Sequence, residues 1–303
     1  MSITTSNLTK RYGDQIAVNA LNLDIKAGEI VGFLGPNGAG KSTTMKMLTG
    51  YIPPSDGDGT VCGLDIVDDS LEIRKKLGYL PEHNPLYLDM YVKEFLAFAG
   101  KMGGLKNPIN RVKEVIDLTG LQREQHKKIG QLSKGYRQRV GLAQAIIHNP
   151  DVLILDEPTG GLDPNQVVEI RELIKKLGKT TLLSTHIMQE VEAVCTRVMI
   201  IDKGILVANS PIEDLAKLTG EKHLVYATFG SEIKLGDLKK LAEVNSVKEL
   251  GNNRYAIEVA NADGRKSISQ YALQQNLEIM ELTSEKVSLE QIFQNLTKNV
   301  DSI

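Results

Sequence analysis

The sequence predicts an α/β protein built on a parallel sheet and followed by a small α+β unit. Three observations carry that prediction. Short apolar runs, "GEIVGFLG" (28–35), "DVLILDE" (151–157), "TTLLSTH" (180–186) and "VMIID" (198–202), read as buried strands. Helical stretches separate these strands, which places them parallel and joined by crossover helices. Past residue 220 the rhythm changes to short strands and helices in the order βαββαβ.

The elements follow in order. Residues 3–25 read as strands, with "LNLDI" (21–25) alternating apolar and polar. The buried strand 28–35 runs into a helix over 41–49, stopped by Gly50 and Pro53-Pro54. A strand-like "GTVCGLDI" precedes a largely helical segment over about 90–147, which interrupts the α/β rhythm as a subdomain of its own. Within it, "NRVKEVIDLTGL" places Val112, Val115, Ile116 and Thr119 on one face. The helix over 165–178 closes on glycine, and Met188 and Met199 read as core. The expected domains are 1–220 and 221–303. In the second, strands fall at 223–229, 246–250, 254–260 and 277–282, and helices at 235–243, 266–275 and 288–297. That order is the ferredoxin-like one.

Composition excludes several classes. With 41% hydrophobic and 24% charged residues among 303, the chain is an ordinary globular protein. Cys62 and Cys195 have no paired spacing, and His83, His126, His148, His186 and His223 have no ligand spacing. This argues against a disulfide framework or a zinc site. The net charge is -2, and residues 221–303 carry 10 basic against 12 acidic side chains. Neither part has the basic excess of a nucleic-acid binder, so no nucleic-acid partner is expected. No apolar h-region opens the chain, and no apolar run nears the roughly 18 residues that span a bilayer.

Chemistry enters with "GPNGAGKST", residues Gly35, Pro36, Asn37, Gly38, Ala39, Gly40, Lys41, Ser42 and Thr43. It has the spacing of a phosphate loop and lies between a buried strand and a helix. Its glycines let backbone N–H groups curl round phosphate oxygens, Lys41 reaches the β- and γ-phosphates, and Ser42 can ligate Mg²⁺. The strand 151–157 supplies Asp156 at its end, where an acid can hold Mg²⁺ through water, and Glu157, placed to polarise an attacking water. A second anion seat opens at Ser133 and Gly135, where a helix begins with free N–H groups and a bare glycine approach.

Phosphate loop, Asp156-Glu157 and "LSKGYRQR" in one order make residues 1–220 resemble the ATP-binding subunits of ABC transporters. "LSKGY" (132–136) looks like the family's signature, "GGLDP" (160–164) like its D-loop and "STH" (184–186) like its switch histidine. "YLPEHNPLY" (79–87) occupies the place of the glutamine loop, with Glu82 where glutamine is usual, and Tyr12 the place of an aromatic that stacks on adenine. The signature also departs, with Lys134-Gly135-Tyr136 for Gly-Gly-Gln; Lys134 is expected to point to solvent or to a partner.

The resemblance implies a P-loop NTPase domain with a parallel-sheet core, an antiparallel β-subdomain and a helical subdomain. It implies hydrolysis of ATP with Mg²⁺, with Lys41, Glu157 and His186 catalytic and Ser42, Glu82 and Asp156 at the metal. Two such subunits, identical or homologous, would meet head to tail, so that Ser133 and Gly135 touch the facing subunit's γ-phosphate and Asp163 organises the interface. Asp163 also suits the cap of the helix opening at Pro164, Tyr12 beside Gly13 suits a turn, and His186 alone after a strand suits packing. Membrane-spanning subunits on separate chains would hold the protein at the cytoplasmic face of the membrane. The "PEHNPLY" loop, the length and the tail "SLEQIFQNLT" look most like exporter-type subunits, among them the gliding-motility-associated ones. The rival reading is a soluble ATPase of this family working on ribosomes or DNA. Such proteins carry two nucleotide domains in one chain or a long coiled-coil insertion, and this sequence has neither.

Overall fold

A computed structural model describes residues 2–214, 223–233, 235–260, 264–285 and 293. The chain divides between Ile212 and Glu213, ahead of the expected boundary at 220.

The first unit opens with strands β1 (Ile3–Tyr12), β2 (Gln15–Leu21) and β3 (Asp24–Ile25), continues through β4 (Ile30–Leu34) and helix α1 (Lys41–Leu48), and returns in β5 (Asp56–Val61) and β6 (Leu64–Asp65). Five of these strands form an antiparallel sheet in the order β2-β1-β5-β6, with β3 also on β1. Helix α2 (Ser70–Lys76) and strand β7 (Leu77–Leu80) lead to helices α3 (Val92–Met102), α4 (Ile109–Thr119) and α5 (Lys134–Ile146). Strand β8 (Val152–Asp156), helix α6 (Pro164–Leu177), β9 (Thr180–Thr185), α7 (Met188–Val194), β10 (Arg197–Asp202) and β11 (Ile205–Pro211) complete the unit.

The second sheet runs β11-β10-β4-β9-β8-β7. All its neighbours are parallel except β10 and β11. Every residue of β8 and β9 is buried, as a sheet covered on both faces requires. Val112, Val115, Ile116 and Thr119 are buried on α4 as the spacing predicts, and Gly120 ends that helix in the left-handed conformation. Met199 is fully buried, whereas Met188, at the start of α7, is only half-buried.

The second unit holds β12 (His223–Phe229), α8 (Leu235–Leu238), β13 (Val244–Gly251), β14 (Arg254–Val259), α9 (Gly264–Gln274) and β15 (Ile279–Glu285). Its sheet order is β13-β14-β12-β15, with every neighbouring pair antiparallel. Val225, Phe229, Tyr255, Ile257 and Ile268 form its own core. The helix expected over 235–243 stops at Leu238. Hydrogen-bonded turns from Leu238 to Leu241 and from Leu241 to Val244 replace it and keep these residues in the core. The closing helix expected over 288–297 lies outside the described residues, Phe293 excepted.

Two close approaches fix helices onto the parallel sheet. A Cβ on Gly78 of β7 would lie 2.2 Å from the backbone oxygen of Ala145 on α5, so helix and strand touch through backbone. Farther along the sheet, a Cβ on Gly32 of β4 would lie 2.7 Å from Val191 Cγ1 and 3.3 Å from Cys195 Sγ. Gly78→Ala should therefore lower the stability of the first unit by roughly 1–3 kcal/mol, since a backbone carbonyl cannot step aside as a side chain can. Its denaturation midpoint checks this.

Burial pushes the Cys195 thiol up to about 12, and the half-buried Cys62 thiol is also raised. At pH 8 on the order of one Cys195 in 10⁴ is thiolate. A thiol-reactive dye should then label Cys62 first and reach Cys195 only along the unfolding curve; mass mapping of the labelled peptides separates the two.

Candidate nucleotide site

The site grows from one end of the parallel sheet. Strand β4 stops at Leu34, and the chain turns through Gly35 to Gly40 before α1 begins. Gly40 caps α1 with φ 105°, and a Cβ there would lie 2.5 Å from Ala17 O. Both its φ and its space require glycine. Lys41 follows, 7% exposed, with Nζ donating to Gly35 O (2.6 Å) and Pro36 O (3.1 Å). Burial pushes the Lys41 ammonium below its ordinary range, while the carboxylates of Glu157, Asp156 and Glu82 pull it back.

Two strands along, β8 ends at Asp156, paired in register with Ser184 of β9. Asp156 is 3% exposed, and its Oδ1 is buried without a hydrogen-bond partner. The buried Ser184 hydroxyl also has none. Glu157 leaves the strand with φ 51°, in the left-handed region that a side chain rarely adopts. Its N–H donates to Ser184 O at 3.0 Å. His186 Nδ1 lies 2.9 and 3.0 Å from the two Glu157 oxygens. Burial raises the Glu157 carboxyl above its ordinary range, with Asp156 adding to the rise; the His186 hydrogen bond and charge, and Lys41, oppose it.

These groups line a cleft of about 800 Å³. It gathers Tyr12, Asn37, Gly38, Gly40, Lys41, Ser42, Thr43, Glu82, Asp156, Glu157 and His186 from the residues singled out in the sequence. Tyr12, half-exposed, ends β1 with the Lys10 amine 5.5 Å from its ring centroid. Glu82 is largely exposed beside His83. Gly35, Pro36 and Ala39 shape the loop without lining the cleft; a Cβ on Gly35 would lie 2.4 Å from Ile201 O.

Three further residues, away from the phosphate loop, also do not line the cleft. Asp163 caps α6, accepting from the N–H groups of Asn165 (3.1 Å) and Gln166 (3.0 Å), with Pro164 at the first helical position. Ser133 caps α5 and accepts a long 3.4 Å hydrogen bond from the Tyr136 N–H. Gly135 does not leave the bare approach expected of it: the Gln166 side chain covers it, 2.5 Å from where a Cβ would sit. Lys134 is exposed, as expected, and also lays its amine over Gly161 and lines the cleft.

Sequence reasoning missed Gln15, Ala17, His83, Gln138, Gly160 and Gly161 as lining residues. One signal was available for Gln138: it stands four residues after Lys134 on α5, on the same helix face. For Gln15 and Ala17 on β2 there was none, because only the folding of the antiparallel sheet over the phosphate loop brings them there.

Residues 18–160 match the family described as ABC transporter. The chain is 41% identical over 219 residues to the bacitracin transport ATP-binding protein BcrA of Bacillus licheniformis, a match covering 71% of each chain. To the linearmycin resistance ATP-binding protein LnrL of Bacillus subtilis (strain 168) it is 34% identical over 305 residues, 97% of this chain and 98% of that one. Among solved structures it resembles a dimeric ATP-binding cassette in a post-hydrolysis state bound to ADP and Pi, with a TM-score of 0.64 and 28% identity over 69% of this chain and 98% of that one. With a phosphate loop, a buried acid and a glutamate–histidine pair converging in one cleft, and with a relative 34% identical along nearly its whole length, the chain belongs to the ATP-binding proteins of ABC transporters.

Proposed function

We propose that Lys41, Asp156, Glu157 and His186 act together on the β,γ end of ATP, and that two subunits close over two nucleotides to drive a membrane-spanning partner. As a member of its family the chain binds and hydrolyses ATP. The observation that carries the assignment of residues is the meeting of a buried lysine, a buried acid with an unpartnered oxygen and a carboxylate already held by His186, all at the mouth of one phosphate loop.

The residues present fit Mg²⁺. Among the described residues no group of three His, Cys, Asp or Glu side chains could hold a metal, and a cation here could share its coordination with phosphate oxygens. That is the habit of Mg²⁺, a hard ion bound by one or two carboxylates plus substrate phosphates. Asp156 Oδ1 is a buried acceptor lacking a partner, with the Ser42 hydroxyl and Glu82 lining the same cleft. Bound there, the ion would neutralise charge on the β- and γ-phosphates. Lys41 would hold the phosphates once it exchanges loop carbonyls for them. Glu157 would take a proton from the attacking water, and His186 would hold Glu157 in place. Tyr12 would stack on adenine, as its place at the cleft's edge suggests.

The pairing of subunits is supported by the dimeric form of the similar cassette. In that arrangement Ser133 and Gly135 at the start of α5 would meet the facing subunit's γ-phosphate, which requires Gln166 to swing off Gly135. Asp163 would hold the D-loop at the interface. No helix among the described residues is long and apolar enough to cross a membrane, so the crossing would fall to separate chains with this subunit at their cytoplasmic face. Exposed Tyr87, Leu88, Tyr91, Phe98 and Met102, in the segment that follows Glu82, offer those chains an apolar landing, with Tyr87 stacked edge-on against Phe95 and Phe98. Export as the direction is supported by the "PEHNPLY" loop and by relatives named for bacitracin transport, linearmycin resistance and Nod factor export. The likeness to gliding-motility-associated subunits rests on that loop, the length and the tail alone.

Glu157→Gln should keep ATP affinity while turnover falls by roughly 10²–10⁴-fold. Phosphate release by the variant at a rate near its parent's, with the membrane partner present, would remove Glu157 from the role of base.

In that Glu157→Gln background, Lys41→Ala should weaken ATP binding by the single subunit, because a charge-assisted phosphate contact is lost. Ser133→Arg should leave that binding intact and block ATP-dependent dimerisation, seen by size-exclusion chromatography. A Ser133→Arg protein that dimerises with ATP as its parent does would rule out the head-to-tail sandwich.

A further inference from the structure

The cleft accounts for Glu157 and His186 but not for the carboxylate that lies behind them. Glu190, on α7, is 1% exposed. Its Oε1 accepts the Thr159 hydroxyl at 2.5 Å and its Oε2 accepts the Thr185 hydroxyl at 2.9 Å. The nearest cation, Arg171 Nη2, stands 3.9 Å away, beyond hydrogen-bond distance. A buried carboxylate is costly unless each oxygen is satisfied, and an apolar side chain would fill the same volume more simply. What the apolar side chain could not do is bind two hydroxyls from two separate segments.

Those segments are the ones that carry the chemistry. Thr185 directly precedes His186, and its Oγ1 also accepts the Ile187 N–H at 3.1 Å. The backbone on both sides of His186 is thereby tied to Glu190. Thr159 follows Glu157 by two residues and starts the turn into the D-loop: the Gly160 N–H donates to Glu157 O and the Leu162 N–H to Thr159 O, each at 3.1 Å. The same carboxylate therefore holds the D-loop turn at one oxygen and the backbone of His186 at the other. His186 in turn holds the Glu157 carboxylate.

We propose that Glu190 is a positioning residue: it locks His186, and through it the Glu157 carboxylate, to the turn over residues 159–162, so that displacement of the D-loop moves the glutamate–histidine pair. The inference rests on the hydrolytic reading of Glu157 and His186, and the experiment separates the two. Removing either hydroxyl without changing shape, by Thr159→Val or Thr185→Val, should lower kcat about tenfold while the KM for ATP stays within about twofold, the signature of lost positioning at the reacting centre. Thr159→Ser and Thr185→Ser, which keep the hydroxyl, should restore it. In a Glu190→Gln background either valine should cost less than about threefold, because both hydroxyls act through one carboxylate. Fully additive losses, or a lowered melting temperature with normal kcat, would overturn the proposal. A second readout is independent of turnover: Thr159→Val should shift the His186 ring resonance in the parent protein but not in Glu190→Gln. A resonance unmoved in the parent also overturns it. Turnover retained by Glu157→Gln would instead count against the hydrolytic reading, and the resonance would still decide the role of Glu190.

Discussion

The site depends on one constraint, the parallel register of three adjacent strands. In β4, β9 and β8, Leu34 lies opposite Thr185 and Asp156 opposite Ser184. Parallel strands in register end at the same edge of the sheet, and in open α/β sheets that carboxyl edge is where ligands bind. Each strand here runs straight into a functional segment. The phosphate loop follows β4, Glu157 follows β8, and His186 follows β9. No long loop has to find its partner, because the ladder hydrogen bonds of the buried strands set the spacing.

The electrostatics of the cleft follow from that convergence. Burial lowers the Lys41 ammonium from its ordinary range, and three carboxylates oppose that shift. Glu157 is lifted by burial and lowered by His186 and Lys41. A carboxylate acting as base needs a proton affinity above that of an ordinary acid, and here partial burial pushes in that direction while the histidine fixes the geometry. The cleft also leaves Asp156 Oδ1 unsatisfied. Buried acceptors without partners are uncommon in folded proteins, and here one lies where a nucleotide's cation would pair with it.

The signature helix obeys a different logic. Helix α5 is pinned to β7 by the Gly78 contact, and its start is covered by Gln166. Ser133 and Gly135 are therefore placed by the packing of the helical subdomain rather than by the strand register. The proposed dimer reconciles the two: one edge of the sheet forms half a site and the start of α5 the other half.

Most of this was legible in the sequence wherever a residue's role is written into its neighbours. Continuous apolar runs gave the buried strands, and the glycine pattern between strand and helix gave the phosphate loop. Asp156-Glu157 stood out because an acid pair closes a buried run. Other elements were not legible. Helix α2 buries only Ile73 of its seven residues and leaves Leu71 exposed, so it has no apolar stripe. Strand β7 is four residues long and carries a glycine, and α7 is short and hides a glutamate where a core residue would be expected. The placing of Gln166 over Gly135, of Lys134 over Gly161 and of Glu190 between two threonines came only from the tertiary structure. Each is a contact between segments distant along the chain, or a polar group whose burial no local pattern reports. The sequence by itself determined which groups could touch a phosphate, because loop chemistry is local. Which of them share one cleft, and which await another surface, was decided by packing.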